Sequence, residues 1–191
     1  MKAVMLSLRP QWCEKIFNGS KSIEVRKSRP SLDMPFRVYV YQTKHKGGKA
    51  IVSEVLNSVY GGGKVIGEFV CNRITCCQAY YGESGEKHLT NLFGNEVKRT
   101  CLTEREMFDY IVGKGKKEGT GWLWHITEPK LFDKPRDITE FAIYGRCAED
   151  CDEYDICARD SEDGRMSCKF FKRTFLKRPP MSWYYIEADE N

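Results

Sequence analysis

No apolar run in this chain of 191 residues approaches the roughly 20 residues that cross a bilayer as a helix, which excludes a membrane-spanning helix. The longest early apolar stretch, AVMLSL at 3–8, is too short for the core of a secretory signal and is broken at once by Arg9 and Pro10. An intracellular, cytoplasmic protein is therefore expected. Internal repeats and low-complexity tracts are absent, and the composition indicates neither disorder nor a fibrous class. The GGGK at 61–64 lacks both the spacing and the following hydroxyl of a phosphate-cradling loop and reads as a turn. The nine cysteines include no C-x2-C knuckle, and histidine occurs only three times.

What is present is enough to fold. A hydrophobic content of 41% with 13% aromatics supplies a globular interior, and 30% charged residues is ordinary. The length suits one domain over 1–191, with 147–168 as a cysteine-rich insertion within it. The net charge of +4 conceals an asymmetry. Residues 1–50 hold eleven Lys/Arg against three Asp/Glu, 147–168 hold two against eight, and 169–180 hold five against none. A basic face assembled from the N-terminal part and the 169–178 segment suits a phosphate-bearing partner, although basic clusters also serve solubility.

Residues 3–8 read as a buried strand. Pro10 at a first-turn position, Trp12/Ile16 and Cys13/Phe17 at i,i+4 and Gly19 as terminator describe a short helix. Period-two patterns follow at 22–27 and at 36–42, FRVYVYQ. The span 43–64 reads as a long loop enclosing a short helix, AIVSEVLNSVY. Residues 64–77 read as a core strand with a glycine at a bulge, and 85–93 as a helix stopped by Gly94. Thr103-x-x-Glu106 forms a capping box, with Leu102 and Met107 as its staple and Gly113 as the stop. Further strands are expected at 121–127, 138–145 and 181–188. Strands with helices inserted between them favour an α+β, barrel-like class over alternating βαβ units.

If Ile23, Val25, Phe36, Val38 and Val40 fill one core, the reverse faces carry Glu24, Arg26, Arg37, Tyr39 and Tyr41. Guanidinium and ammonium groups pair with phosphate, rings stack on bases, and a carboxylate accepts from an exocyclic amine. The alternative is that Glu24 and Arg26 face water or pair across strands as ions of little worth. His125, in WLWHI, reads as a satisfied core histidine. Trp122 and Trp124 share a face as core residues or stacking platforms, and Cys13, Cys71, Cys76 and Cys77 read as buried thiols.

The ordered combination of LSLRP (6–10), the helix, GSKSIEVRKSRP (19–30), WLWHITEPKLFDKP (122–135) and RPPMSWYYIEA (178–188) resembles the ASCH family of the PUA-like superfamily, of a phage or bacterial type with an inserted cysteine-rich segment. Gly19, Lys21, Glu24 and Arg26 meet the pattern G-x-K-x-x-E-x-R. The resemblance implies a small PUA-like β-barrel with a cleft beside the first helix. That cleft would bind RNA or a modified nucleoside through Ser7, Arg9, Lys21, Glu24 and Arg26. Some relatives are amidohydrolases that remove an acyl group from an acylated cytidine with a lysine, a threonine and a glutamate. Lys21 matches the lysine, but Glu24 stands where the threonine belongs, and Ser22 is the one nearby hydroxyl. With Lys21 and Glu24 as catalytic candidates, Glu24 would have to act as general base for water while Lys21 holds developing negative charge.

Cys147-x3-Cys151-x5-Cys157-x10-Cys168 sits in an acidic segment with almost no aliphatic residues to bury. Four thiolates can close a tetrahedral structural zinc site there. The neighbouring carboxylates oppose it, and an iron–sulfur cluster or unligated thiols are the alternatives. A zinc loop would also present an acidic surface to a protein partner, which makes an interaction adaptor the third functional class.

Overall fold

The computed structural model describes residues 1–44, 51–53, 58–60, 62–147 and 172–189. The chain runs β1 (Lys2–Leu8), α1 (Pro10–Phe17), β2 (Ile23–Arg26), β3 (Phe36–Gln42), β4 (Ile51–Ser53), β5 (Ser58–Tyr60), β6 (Lys64–Tyr81) and β7 (Lys87–Thr90). It continues with α2 (Glu96–Thr100), α3 (Glu104–Val112), β8 (Glu118–Arg136), β9 (Ala142–Cys147), β10 (Arg173–Phe175) and β11 (Trp183–Glu187). The large sheet has the order β10-β9-β11-β1-β3-β6-β8-β2, with β7 paired to β6, and β4 pairs β5 separately. Strand β1 is parallel to β3, and the other pairings are antiparallel. Among the described residues the path ends at β2 and β10, so this mostly-β sheet with few helices is not closed into the expected barrel. No described helix is long and apolar enough to cross a membrane.

The length of β6 and β8 organises the rest. Their shared ladder carries register shifts between Val65 and Gly67, Glu68 and Val70, and Cys71 and Arg73. Extra residues at such shifts bend a strand and re-aim its side chains. One half of β6 therefore pairs with β3 while the other half pairs with β7. Pro129 lies in β8 at the second shift, where a missing N–H breaks no ladder bond. Gly67 is demanded by contact: a β-carbon there would lie 2.4 Å from the Lys130 carbonyl oxygen and 2.8 Å from the Phe17 ring.

Three apolar cores result. Val4, Leu6, Phe36, Val38, Val40, Phe69, Trp124 and the inner face of α1 form one. Ala3, Met5, Tyr39, Tyr41, Phe141, Ile143 and Ile186 form a second on the opposite face of β1 and β3. Ile23 and Val25 join Leu123, Cys77 and the α3 residues Met107, Phe108 and Ile111 in the third. The single core expected for Ile23, Val25, Phe36, Val38 and Val40 is thus two, because β2 pairs with β8 and not with β3.

Other local expectations divide. α1, the α3 capping box and the β2 and β3 strands form where the sequence places them. Residues 87–90 are a strand and not part of a helix, because the turn closed by Gly82 N to the Glu86 carbonyl and Gly85 N to the Gly82 carbonyl folds them back along β6. Helix α2 instead begins at Glu96. In the expected 50–60 helix, Ile51 to Ser53 and Ser58 to Tyr60 pair as strands. Residues 138–140 are a 3-10 turn capped by Asp137, and the strand starts at Ala142.

Gly67→Ala is expected to cost about 1–3 kcal/mol, the usual penalty of forcing an extra methyl into a packed site. Chemical denaturation should show a lower midpoint with an unchanged slope.

Candidate functional site

The site follows from how α1 ends. Gly19, at φ +80, turns the chain, and Lys21 N donates to the Lys15 carbonyl at 2.8 Å, which folds Lys21 under the helix. Its ammonium lies 5.1 Å from the centre of the Trp12 ring. Period two on β2 then points Ile23 and Val25 into the α3 core and Glu24 and Arg26 to the other face. Trp124 stands directly across from Glu24 and Trp122 across from Arg26, so rings and charges share that face.

Lys21, Glu24, Arg26 and Ser7 form one buried network. Lys21 Nζ lies 3.2 Å from Glu24 Oε2 and donates to the carbonyls of Ile23 at 2.8 Å and Thr100 at 2.7 Å, which occupies all three of its N–H bonds. Arg26 Nε lies 3.0 Å from Glu24 Oε1, Nη2 donates to the Ser7 carbonyl at 2.9 Å, and Nη1 reaches Ser182 Oγ at 3.4 Å. Ser7 Oγ donates to the Pro180 carbonyl at 2.7 Å, and Ser7 N to the Ser182 carbonyl at 2.9 Å. Two cations flank one carboxylate, which leaves an excess positive charge below the surface.

The surroundings are aromatic and basic. Trp12, Trp122 and Trp183 are half-buried around the first core. Arg29 lies over the Trp122 ring at 4.6 Å, Lys15 over Trp12 at 5.2 Å and Lys27 over Tyr110 at 5.5 Å. Trp183 Nε1 donates to Ser28 Oγ at 3.0 Å, which ties β11 to the stretch after β2. Burial pushes the Tyr110 phenol up, against the pull of the nearby Arg26. Trp124 is fully buried, edge-on to Phe36, and its indole N–H has no acceptor among the described residues.

Of the residues singled out from sequence, Ser7, Lys21, Glu24 and Arg26 come together, and Arg9 sits exposed at the start of α1. Tyr39 and Tyr41 are buried in the second core instead of lining a polar face, and Arg37 faces Glu68 at 3.8 Å and the Tyr39 hydroxyl at 3.4 Å. Ser22 Oγ accepts from Arg99 Nε at 3.0 Å, turned toward α2. Cys13 is buried and its thiol is pushed up by burial and by the Glu24 carboxylate, while burial takes Cys71 up to about 12. Neither is a poised nucleophile. Tyr110 and Trp183 were not legible as rim residues, because they reach the site from α3 and β11.

The four cysteines of the expected zinc site fall on 147–168, outside the described residues except for the backbone of Cys147 at the end of β9. Among the described residues no group of three or more His, Cys, Asp or Glu side chains is arranged to hold a metal.

Removing Glu24 leaves two buried cations facing each other. Glu24→Ala is expected to cost about 3–5 kcal/mol, and adding Lys21→Met to it should recover part of that loss. A double-mutant cycle read by denaturation measures both, and additive costs would deny the coupling.

No family model matches the chain, and no curated protein matches it. Solved structures do. The chain is similar to the crystal structure of ASCH from Zymomonas mobilis, at 15% identity and a TM-score of 0.48 over 97% of this chain and 87% of that one. A serine-to-alanine mutant of that protein gives 15% identity and 0.48 over 97% and 88%. A tyrosine-to-phenylalanine mutant gives 17% and 0.43 over 72% and 77%. What the chain is similar to, along nearly its whole length, is an ASCH structure.

Proposed function

We propose that this chain is a PUA-like module that binds RNA or a modified nucleoside at the face formed by Ser7, Arg9, Lys21, Glu24 and Arg26 and rimmed by Trp12, Trp122 and Trp183. The observation that carries the reading is the buried trio with two cations to one carboxylate, set beside half-buried rings. Burying an ion costs several kcal/mol even after relaxation, and the Ile23, Thr100 and Ser7 carbonyls offset only part of that cost. Arg26, whose Nη1 makes a long 3.4 Å contact with Ser182 Oγ and whose guanidinium also meets the Tyr110 hydroxyl, is the cation of the trio best able to exchange a partner for a phosphate or a base oxygen. The half-buried indoles of Trp12, Trp122 and Trp183 supply rings on which bases can stack, with Arg29 and Lys15 beside them as cations. Lys177 and Arg178, both exposed just before Ser182, extend a path for phosphates.

The amidohydrolase reading ranks second. Lys21 spends its N–H bonds inside the protein, and the hydroxyls of Ser7 and Ser22 are engaged elsewhere. A hydrolase would need Glu24 to act on water, and turnover of a panel of acylated nucleosides above the level of Lys21→Ala would promote it.

Titration of a labelled single-stranded RNA at several salt concentrations tests the binding reading. Affinity should fall steeply with salt. Arg29→Ala should weaken binding and lower the salt slope by about one, and Trp122→Ala should cost about 1–3 kcal/mol. Binding that is insensitive to salt, or indifferent to Arg29→Ala and Trp122→Ala together, contradicts it.

We also propose that Cys147, Cys151, Cys157 and Cys168 hold a structural zinc, supported by their spacing and by the lack of aliphatic residues around them. Elemental analysis should find about one zinc per chain, lost when the four become serine. An adaptor role for the same loop predicts that reversing charge at Asp152 and Glu153 abolishes a protein partner's capture.

A further inference from the structure

A second buried polar cluster adjoins the first. His125 on β8 and Glu96, the first residue of α2, are 3% and 2% exposed. His125 Nε2 lies 3.3 Å from Glu96 Oε1 and 3.2 Å from Thr75 Oγ1, and Nδ1 lies 3.2 Å from Arg73 Nη2. Arg73 is also 3.6 Å from Glu96 Oε1, and Glu96 Oε2 accepts from Phe93 N at 3.0 Å. A guanidinium only donates, so Nδ1 is the bare nitrogen and the ring proton sits on Nε2. His125 is therefore neutral here. It cannot take a proton from Thr75, and the cluster is not a nucleophilic triad.

Every element packed on the ring contributes to its electrostatics. Strand β6 brings Arg73 and Thr75, α2 brings Glu96 and Arg99, and β2 places uncharged Ile23 opposite. A proton arriving at Nδ1 would point one N–H at another, and Arg73, with 56% of its side chain exposed, is the partner free to leave. Arg73 would take its own 3.6 Å contact with Glu96 Oε1 away with it, and the imidazolium, 3.3 Å from the same oxygen, would draw the carboxylate to itself, so the contacts of Glu96 change.

That change has a short path to the ligand face. Helix α2 is five residues long. At its far end the Thr100 carbonyl accepts from Lys21 Nζ, Ser22 N donates to the Arg99 carbonyl, Arg99 Nε donates to Ser22 Oγ, and Cys101 Sγ donates to the Ser20 carbonyl. We propose that Glu96 and His125 are positioning residues that act through α2 on the Lys21 end of the ligand face, and that proton uptake by His125 withdraws this support and weakens binding. The binding part rests on the function proposed above, whereas the coupling through α2 does not. Burial, helped by Arg73 and opposed by the Glu96 carboxylate, holds the ring below its ordinary value of 6.5, so the transition lies below that pH. Basic proteins ordinarily gain affinity for RNA in acid as charge is added. A loss in acid is the opposite sign and is diagnostic.

The experiment is an NMR titration of the free protein from about pH 7.5 to about pH 5, across the range in which histidine changes charge. The His125 ring, the α2 amides and the Lys21 amide should share one midpoint, and Arg73→Gln should move that midpoint to higher pH. In parallel, a labelled oligouridylate at constant salt should lose about fivefold or more in affinity across the same window, within the usual range for linked sites, and His125→Asn should abolish that loss. Should His125→Asn fail to fold, Arg73→Gln carries the test, moving the pH of the affinity loss with the ring. Amides of α2 and Lys21 that ignore the His125 titration overturn the coupling. Affinity that rises identically in both proteins overturns the regulation. Coupled amides with no RNA bound at any pH leave the coupling standing and overturn the RNA reading instead.

Discussion

The Glu24 carboxylate, shared by Lys21 and Arg26 at 3.2 and 3.0 Å, is the contact on which the surrounding architecture turns. β2 is only four residues long and pairs with a single strand. Strand pairing alone would hold such an element weakly. Through Lys21 it is tied to α1 and α2, and through Arg26 to β1 and to the segment before β11. One buried ion triplet thus joins five parts of the chain, with Arg26 and Ser182 standing 156 positions apart. Buried ions of this kind are poor sources of net stability, but removing one partner is costly, which fixes the parts they join relative to one another. That balance suits a surface that has to be placed accurately.

The two long strands explain why the triplet sits where it does. The register shifts between β6 and β8 let β8 offer its 122–125 stretch to β2 on one edge while β6 pairs on the other. Trp122 and Trp124 therefore lie next to Arg26 and Glu24, and His125 on the same short stretch reaches Glu96. The charged face and the histidine cluster are consequences of one bent ribbon, with α2 lying between them.

Much of this was legible in the sequence where the signal is local. The capping box at Thr103, the terminator Gly19, the bulge at Gly67 and the inward Ile23 and Val25 each follow from residue type and period. The convergence of Lys21, Glu24 and Arg26 was also readable, since alternation puts the last two on one side. Partner choice was not. Nothing in FRVYVYQ says that Tyr39 and Tyr41 meet Phe141 and Ile186 in a second core, because those residues arrive a hundred positions later. The helix expected at 85–93 failed for the same kind of reason: the hairpin turn at Gly82 and Gly85 and the free edge of β6 outweigh a short stretch of helix-tolerant residues. The role of His125 was half legible, as a satisfied core histidine, but its link to Lys21 depends on α2, which begins only at Glu96.

The chain contains four tryptophans, and they stand in graded relation to the proposed face. Trp12, Trp122 and Trp183 are on its rim, and Trp124 is sealed in the core behind it. The indole N–H resonances of 15N-labelled protein, followed as single-stranded RNA is added, report directly on the central claim. The account predicts that the three rim signals move together and saturate, with the arginine side-chain signal of Arg26 moving alongside them. Rim indoles that stay fixed while RNA binds elsewhere on the molecule would contradict it.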